Sequence, residues 1–254
     1  MPRLTPIRLA AACASALALS LSLSLSASAL AKGFSADLRV VGANGKVLAE
    51  KPVTTATTAV RTSPRAACFG AGSGGSGGPV SIQGNTAMGL LAAASKTTGS
   101  LKPLLISDHF DFGIALCGIG SSVVKGESSW YLKINHKALS VGGDSAKIRP
   151  GDEVLWDLAP SYPYPNELSL TVPKVVNAGK PFSVKVVSFD EKGKAKPAAG
   201  VKVTGASGLT GSNGKATVTL SKSRRLTATK SGEISAARVS VCVGGAAVLC
   251  QTGR

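Results

Sequence analysis

The sequence is poor in acidic, aromatic and histidine residues, and each shortage excludes a class of function. Its 254 residues include only 13 Asp and Glu, 2 His and 4% aromatic residues. Two histidines are too few for a typical His-based metal centre, and few rings remain to stack on nucleic-acid bases. We therefore expect no metal, no cofactor and no nucleic-acid partner. The apolar share of 44% still supports a packed core, which excludes wholesale disorder.

Basic residues are concentrated in the second half of the chain. Formal net charge is +16, and residues 159–254 hold 14 Lys and Arg against 4 Asp and Glu. Residues 32–158 hold 13 against 9. A positive surface favours anionic partners, and Phe182 and Phe189 are predicted to face the core instead of stacking on bases. We expect an anionic cell-envelope polymer or an envelope protein as partner; a merely solubilising lysine-rich face is the alternative.

The amino terminus predicts an export signal. Two arginines within the first eight residues precede an uncharged run of Ala, Leu and Ser over residues 9–25. Small residues then form a cleavage site after Ala29, or after Ala31. Because serines interrupt the apolar run, we expect a cleaved signal peptide over residues 1–31 and no transmembrane anchor afterwards. The mature protein is then secreted or associated with the cell envelope.

Four cysteines remain after signal removal, and an even number in an exported chain predicts two disulfides. Cys242 and Cys250 lie eight residues apart around a Gly-Gly turn, which suits a bridged hairpin. Cys68 and Cys117 then pair by exclusion and close a loop of 49 residues. In the chain-entropy picture such a loop contributes on the order of 4 kcal/mol to stability. No CxxC motif indicates a zinc site instead.

Residues 32–159 combine hairpin signals with one helix. Three segments define the pattern: a hairpin over residues 36–54, a flexible Gly- and Ser-rich loop over residues 55–79, and a helix over residues 85–95. Asn44-Gly45 supplies the hairpin turn, and Asn85 is predicted to cap the helix. The pattern predicts an α+β domain with one short helix.

Two alternating strands end this domain. Trp130, Leu132 and Ile134 alternate with polar residues, which predicts a half-buried strand. Val154 and Trp156 share one face of the next strand, after a tight turn at Gly151-Asp152.

A proline-rich connector over residues 160–167 marks a predicted domain boundary, because each proline fixes its own backbone and biases its neighbour. Beyond it, residues 168–254 contain short strand patterns separated by turn residues, which is typical of a β-sandwich. They are residues 168–172, 182–189, 201–204, 216–220, 226–229 and 239–243. The expected fold is therefore mainly β: an α+β domain followed by a β-sandwich.

The first domain resembles a known family in its motifs. Trp130-Tyr131-x-x-Ile134-Asn135, followed by Gly151-Asp152-x-Val154-x-Trp156, is similar to the transcobalamin-like C-terminal domain family. This resemblance implies a β-grasp module, found in vitamin B12 carriers and in many exported bacterial proteins. His136 stands where the family usually has Gly. In the carriers this domain covers the corrinoid together with a separate helical barrel. The sequence predicts no such barrel here, so we do not expect vitamin binding from the resemblance.

The second domain resembles the bacterial immunoglobulin-like domains that space or present modules at cell surfaces. The turn pattern Thr210-Gly211-x-x-Gly214-x-Ala216 carries this resemblance.

These patterns favour an exported, non-enzymatic binding or structural protein, with the β-grasp domain as ligand or partner module and the Ig-like domain as spacer. The alternative is a scavenger of small molecules such as corrinoid-like rings, bound by exposed aromatics at Tyr131, Tyr162 and Tyr164.

We expect no catalytic residues. Two acid–base sets are conceivable, Asp108, His109 and Asp111, or Asp152 and Glu153. Neighbouring residues of an extended chain point to opposite faces, so neither set is predicted to converge on one substrate atom or one metal ion.

Overall fold

A computed structural model describes residues 33–66 and 68–244. The predicted signal peptide and the predicted disulfide cysteine Cys250 lie outside these residues. The described chain is mainly β, as expected, with nineteen strands and one α-helix. None of the helices in this part of the chain has the length and apolar character needed to span a bilayer.

The N-terminal region, residues 33–159, contains ten strands and the helix α1, Ala87–Thr97. The strands are β1 Ser35–Val41, β2 Val47–Thr54, β3 Thr58–Arg61, β4 Pro79–Ile82, β5 Leu104–Phe110, β6 Gly113–Ile119, β7 Ser122–Val123, β8 Ser129–Ile134, β9 Lys137–Ala138 and β10 Glu153–Ala159. Five of them form a mixed sheet in the order β2-β1-β10-β8-β9, in which β1 runs parallel to β10. Strands β5, β6 and β7 form a second sheet, and β3 pairs with β4.

The first hairpin forms where the sequence predicts it. Asn44 and Gly45 have φ of 58° and 71°, a left-handed geometry that Asn and Gly tolerate better than other residues. This geometry matches the twist of the two strands it joins, so β1 and β2 pair antiparallel around it.

The residue that caps the helix lies one position after the predicted cap, and the helix begins at Ala87. Asn85 was predicted to cap it, whereas the Oγ1 of Thr86 accepts the hydrogen bond from the backbone N–H of Gly89 at 3.0 Å. Thr86 has extended backbone geometry, which places its hydroxyl below the open first turn. The expectation for Asn85 is therefore wrong, and the helix extends to Thr97.

The predicted flexible loop over residues 55–79 contains a strand. Strand β3 pairs antiparallel with β4, with Thr58 opposite Ile82. Periodicity did not reveal this four-residue strand among threonines. The predicted disulfide is confirmed: Cys68 and Cys117 are joined, with an S–S distance of 2.04 Å, and tie the rest of the loop to β6.

The helix and one face of the five-stranded sheet enclose the N-terminal core. Buried residues from strands and helix meet there, among them Leu38, Val40, Leu91, Val154 and Trp156. The predicted common face of Val154 and Trp156 is confirmed. The opposite face of the sheet packs against the C-terminal region, and this packing contradicts the prediction of a half-buried strand. In β8 both Leu132 and its neighbour Lys133 are buried, Lys133 completely.

The C-terminal region, residues 167–244, consists of short strands around a second apolar core. The strands are β11 Glu167–Thr171, β12 Val175–Val176, β13 Pro181–Phe189, β14 Ala195–Pro197, β15 Lys202–Val203, β16 Lys215–Thr219, β17 Arg224–Leu226, β18 Ala228–Thr229 and β19 Val239–Val243. Strand β13 pairs with β11 on one side and with β14 and β16 on the other. Strands β12, β19 and β17 form another sheet, and β15 pairs with β18.

Alternation along β13 explains both its core face and one error of prediction. Val184 and Val186 are buried in the second core, and Phe182 packs against it. Phe189 was also predicted to face the core, but it has the opposite parity. Its ring stacks on His136 of the N-terminal region at a centroid distance of 4.0 Å. The sequence also gave no indication of β12 and β14, which are only two and three residues long.

Candidate functional site

A row of charged residues crosses the outer face of the five-stranded sheet. Glu50 on β2 lies opposite Arg39 on β1, Arg39 lies beside Leu155 on β10, and Leu155 lies opposite Lys133 on β8. The C-terminal region covers this row. Charges that face water in an isolated sheet are therefore buried here, and each has a partner across the two regions or along the row.

Arg39 and Glu50 hold one end of the row against the C-terminal region. Arg39 donates from Nη2 to the carbonyl and hydroxyl oxygens of Ser235, and its Nε lies 3.5 Å from Glu50 Oε2. Glu50 Oε1 accepts from Arg238, from the backbone N–H at 3.0 Å and from Nε at 3.1 Å. Burial lowers the pKa of Arg39, and the carboxylate of Glu50 acts in the opposite direction.

Lys133 and Glu167 form a buried ion pair at the other end. Lys133 Nζ lies 3.6 Å from Glu167 Oε2 and 3.5 Å from the carbonyl oxygen of Phe189. Burial lowers the pKa of Lys133, while the nearby Glu167 carboxylate raises it. Because Lys133 lies on β8 and Glu167 begins β11, this pair joins a strand of the five-stranded sheet to the first strand of the C-terminal region.

His136 lies between two carboxylates in a strained turn. Its φ of 68° is unusual for a residue with a side chain. Nδ1 lies 3.1 Å from Glu167 and Nε2 lies 3.6 Å from Glu153. Burial lowers the pKa of His136, but the Glu167 carboxylate more than offsets this and the pKa is raised. With both nitrogens facing carboxylates, neither is directed at a substrate.

Asp157 lies in the adjacent row of the same face, opposite Tyr131. Burial raises its pKa to about 7, although the charges of Arg39 and Lys133 act in the opposite direction. A carboxyl group in this environment takes up a proton near neutral pH. The network therefore holds a group that titrates in the physiological range, next to two buried cations.

A cleft of about 710 Å³ opens beside this network, between the two regions. Charged residues of both signs line it, including Arg39, Glu50, Glu153, Glu167 and Arg238, together with aliphatic side chains. Apart from one imidazole, no aromatic ring belongs to the described lining of the cleft. A flat aromatic ligand would therefore find no stacking partner among these residues.

The three tyrosines predicted to bind a ligand lie elsewhere. Tyr131 is buried, contrary to the expected exposure, and burial raises its pKa. Its ring stacks on Tyr164 at 4.2 Å, and Tyr164 contacts Tyr162 edge to face at 5.7 Å. Only Tyr162 is strongly exposed. These rings attach the proline-rich connector to β8, and a ligand role for them stays a prediction.

The conceivable acid–base sets do not converge. Asp108 accepts two hydrogen bonds of 2.7 Å from Ser76, and these bonds lower its pKa. Asp152 accepts from the backbone N–H of Arg149 at 2.7 Å and from Asn135 at 2.9 Å, so it fixes the predicted turn. In the part of the chain that the structure describes, no three His, Cys, Asp or Glu side chains are grouped as metal ligands.

Among the described residues of the C-terminal region, every exposed charged residue is a cation. All thirteen Lys and Arg residues between positions 167 and 244 are exposed. Of these described residues, only Lys230 and Arg238 have a carboxylate oxygen within ion-pair distance. Two acidic residues of the region are engaged elsewhere: Glu167 is buried, and Asp190 accepts from the backbone N–H groups of its own turn.

One part of this surface, which we call the basic face, lies on the outer side of β11, β13 and β16. Lys185 stands opposite Lys215 on one side and opposite Thr171 on the other. The next cross-strand pair on the same face is Ser183 and Thr217. All five residues are exposed. Directly opposed side chains begin about 5 Å apart, so two ammonium groups and three hydroxyls point to the same side.

Sequence reasoning missed the buried network and found only the basic composition. Lys133 and Glu167 are isolated charged residues in strand patterns, and nothing in their local sequence predicts that the two regions cover them. The one local signal is His136 in a turn that requires a left-handed backbone.

Comparisons with protein-family models, with curated proteins and with solved structures gave no match to this chain.

Proposed function

We propose that the protein is an exported, non-enzymatic binding protein whose C-terminal region adheres to an anionic polymer of the cell envelope. The Cys68–Cys117 disulfide supports export, because such bonds persist in oxidising compartments outside the cytoplasm. The buried charges of the network support a non-enzymatic role, since their partners are side chains of the protein itself.

The basic face is the observation that carries the proposal. Like charges directly opposite each other on an antiparallel pair destabilise a sheet, and Lys185 and Lys215 have this arrangement. No carboxylate of the described residues lies within ion-pair distance of either lysine. An anion lying across the pair removes the repulsion and accepts hydrogen bonds from both ammonium groups and the adjacent hydroxyls. A polymer with repeated phosphate or carboxylate groups can engage the surrounding exposed lysines at the same time.

Nucleic acid fits this surface less well than a polymer without bases. Of the two phenylalanines of the C-terminal region, one packs against the core and the other stacks on His136. The basic face therefore offers no ring on which a base can stack.

Each of the two regions has a proposed role that follows from its family resemblance. We infer that the N-terminal region is a transcobalamin-like β-grasp module that binds a partner, and that the C-terminal region is an Ig-like spacer with an adhesive surface. A single α-helix packed on a mixed sheet, with β1 next to and parallel to β10, supports the first inference. The short strands around a separate apolar core support the second.

The experiment is co-sedimentation of the purified protein with bacterial cell walls that carry a phosphodiester polymer. We expect K185Q/K215Q to bind about 30-fold more weakly, because each of the two cations contributes about 1 kcal/mol near an anionic surface. Binding of the wild-type protein should be largely lost in about 0.5 M salt, where charges are screened within a few ångströms.

Two controls separate the basic face from overall charge. K46Q/K125Q removes the same number of charges from exposed lysines of the N-terminal region and should bind like the wild type. Walls stripped of their phosphate polymer should lose the protein. Salt-independent binding, or equal weakening by both double variants, would contradict the proposal.

A further inference from the structure

Half of the chain's six phenylalanines meet at one exposed site in the N-terminal region. Phe110 and Phe112, at the turn between β5 and β6, stack at a centroid distance of 4.8 Å. Phe69 approaches Phe110 edge to face at 5.1 Å. We call these three rings the aromatic tip. Phe69 and Phe112 remain 69% and 66% exposed, which makes them the most exposed phenylalanines described.

The tip is held by the disulfide and by the ring beneath it. Phe110 packs with Cys68 against a small buried cluster that contains Cys117 and Ala115. Phe69 follows Cys68 directly, so the disulfide fixes it beside the β5–β6 turn. The two exposed rings are therefore presented by a rigid support and do not depend on a partner for their position.

Little charge competes with the rings at this site. Asp108 accepts hydrogen bonds from the backbone N–H and the hydroxyl of Ser76. Asp144 accepts a hydrogen bond from the backbone N–H of Ile114 at 3.1 Å. Asp111 is the exposed carboxylate of the turn, and it lies between Phe110 and Phe112 in sequence. The exposed His109 contacts Phe110 edge to face at 5.2 Å and is the other polar side chain beside the rings. A single carboxylate at the tip disfavours anionic headgroups and is compatible with zwitterionic ones.

We propose that the aromatic tip inserts into the surface of a lipid bilayer. A phenylalanine side chain presents roughly 150–250 Å² of surface, so the two exposed rings offer roughly 250 Å² in total. A stable protein interface needs about 800 Å² on each partner, which this patch does not reach. Phenylalanine also has no hydrogen-bonding group with which to recognise a polar ligand. Rigid, exposed, purely apolar rings fit the acyl boundary of a membrane.

The test is sedimentation with phosphatidylcholine vesicles in about 0.5 M salt, which screens the basic face and leaves the hydrophobic contribution. We expect wild-type protein to bind and F69S/F112S to bind at least about 100-fold more weakly, because both exposed rings are lost. Both residues are exposed, so the variant should fold. L209S/V141S removes two exposed aliphatic side chains elsewhere and should bind like the wild type.

A spectroscopic variant tests insertion directly. F112W places a tryptophan at the tip, and its emission should shift to the blue and be quenched by brominated phosphatidylcholine. Equal binding by F69S/F112S and wild type, no wild-type binding, or no quenching of F112W would overturn the proposal. A dimer that F69S/F112S dissociates would also overturn it and would assign the tip to a second copy. None of these results bears on salt-sensitive binding to cell walls.

Discussion

The two regions of this protein treat charge in opposite ways. The N-terminal region buries Arg39, Lys133 and Asp157 on the outer face of its main sheet, where the C-terminal region covers them. The C-terminal region contributes Glu167 to that contact and exposes every one of its described cations. Its own core is apolar. One region therefore needs its neighbour to neutralise its charges, whereas the other leaves its charges available to an external partner.

This difference teaches where charge is structural and where it is functional. Buried charges are costly to desolvate and persist only when they are paired, so removing one partner is strongly destabilising. Exposed charges contribute little to stability, so their number can follow the needs of binding. We accordingly expect charge removal to reduce stability at the buried network and to reduce binding at the basic face.

The largest loss of stability is expected for Lys133→Met, which tests whether the buried charges are structural. This change leaves Glu167 buried without its lysine partner, and we expect the free energy of unfolding to fall by about 3–5 kcal/mol. Urea unfolding followed by circular dichroism measures it. Lys185→Met, on the basic face, should change stability by less than about 0.5 kcal/mol.

A double variant separates the ion pair from simple packing. K133M/E167L removes both charges of the pair, and His136 keeps Glu153 as its carboxylate neighbour at 3.6 Å. The double variant should therefore recover more than half of the stability lost in K133M. If K133M is as mild as K185M, the buried pair does not hold the regions together.

The buried network also predicts that stability falls as pH rises towards neutrality. Asp157 has a folded-state pKa of about 7, raised by burial from 3.8, so the folded state binds the proton more tightly. Its contribution is therefore fully present below about pH 4 and is lost between about pH 4 and 7, by at most about 4 kcal/mol. The raised pKa of His136 has the same sign and extends the loss above pH 6.5.

Urea midpoints between pH 4 and 8 test this expectation. Asp157→Asn should remove the fall between pH 4 and 7 and leave only the part above pH 6.5. Glu127→Gln, at an exposed position, should leave the wild-type profile unchanged. Hydrogen bonds lower the pKa values of Asp108 and Asp190 in the folded state. Protonation of these two carboxylates therefore destabilises the fold only at more acidic pH. A midpoint that rises from pH 4 to 7 would contradict the assignment.

The sequence predicted local features better than the contact between the regions. The Asn44-Gly45 hairpin, the helix around residue 90 and the Cys68–Cys117 bridge depend on neighbouring residues or on cysteine pairing, and they were found. Burial of Lys133 depends on Glu167, 34 positions away in the chain, and no local pattern encodes that distance. Phe189 was misassigned for the same reason, since its partner His136 belongs to the other region.

The sequence predicted that the C-terminal region is basic, but it did not predict which lysines form the basic face. An excess of lysine over acid is visible in the sequence, but the pairing of Lys185 with Lys215 depends on the register of β13 with β16. A shift of that register by one residue turns one of these side chains to the other face of the sheet.

The smallest predicted change in stability is a gain, whereas most mutations destabilise a protein. It therefore distinguishes most sharply between structural charge in one region and functional charge in the other. Lys215→Glu replaces a like-charge neighbour of Lys185 by an opposite charge, and we expect the folded protein to gain up to about 1 kcal/mol at low salt. The same change should weaken binding to phosphate-bearing cell walls at least as much as K185Q/K215Q.

Lys46→Glu, at an exposed position of the N-terminal region, serves as the control for charge reversal and should leave wall binding unchanged. Because the gain comes from surface charges, it should disappear in about 0.5 M salt. A variant that is more stable and binds less indicates that the basic face is maintained for binding at a cost in stability. If K215E neither stabilises the fold nor reduces binding, the cations of this region act only as solubilising charge.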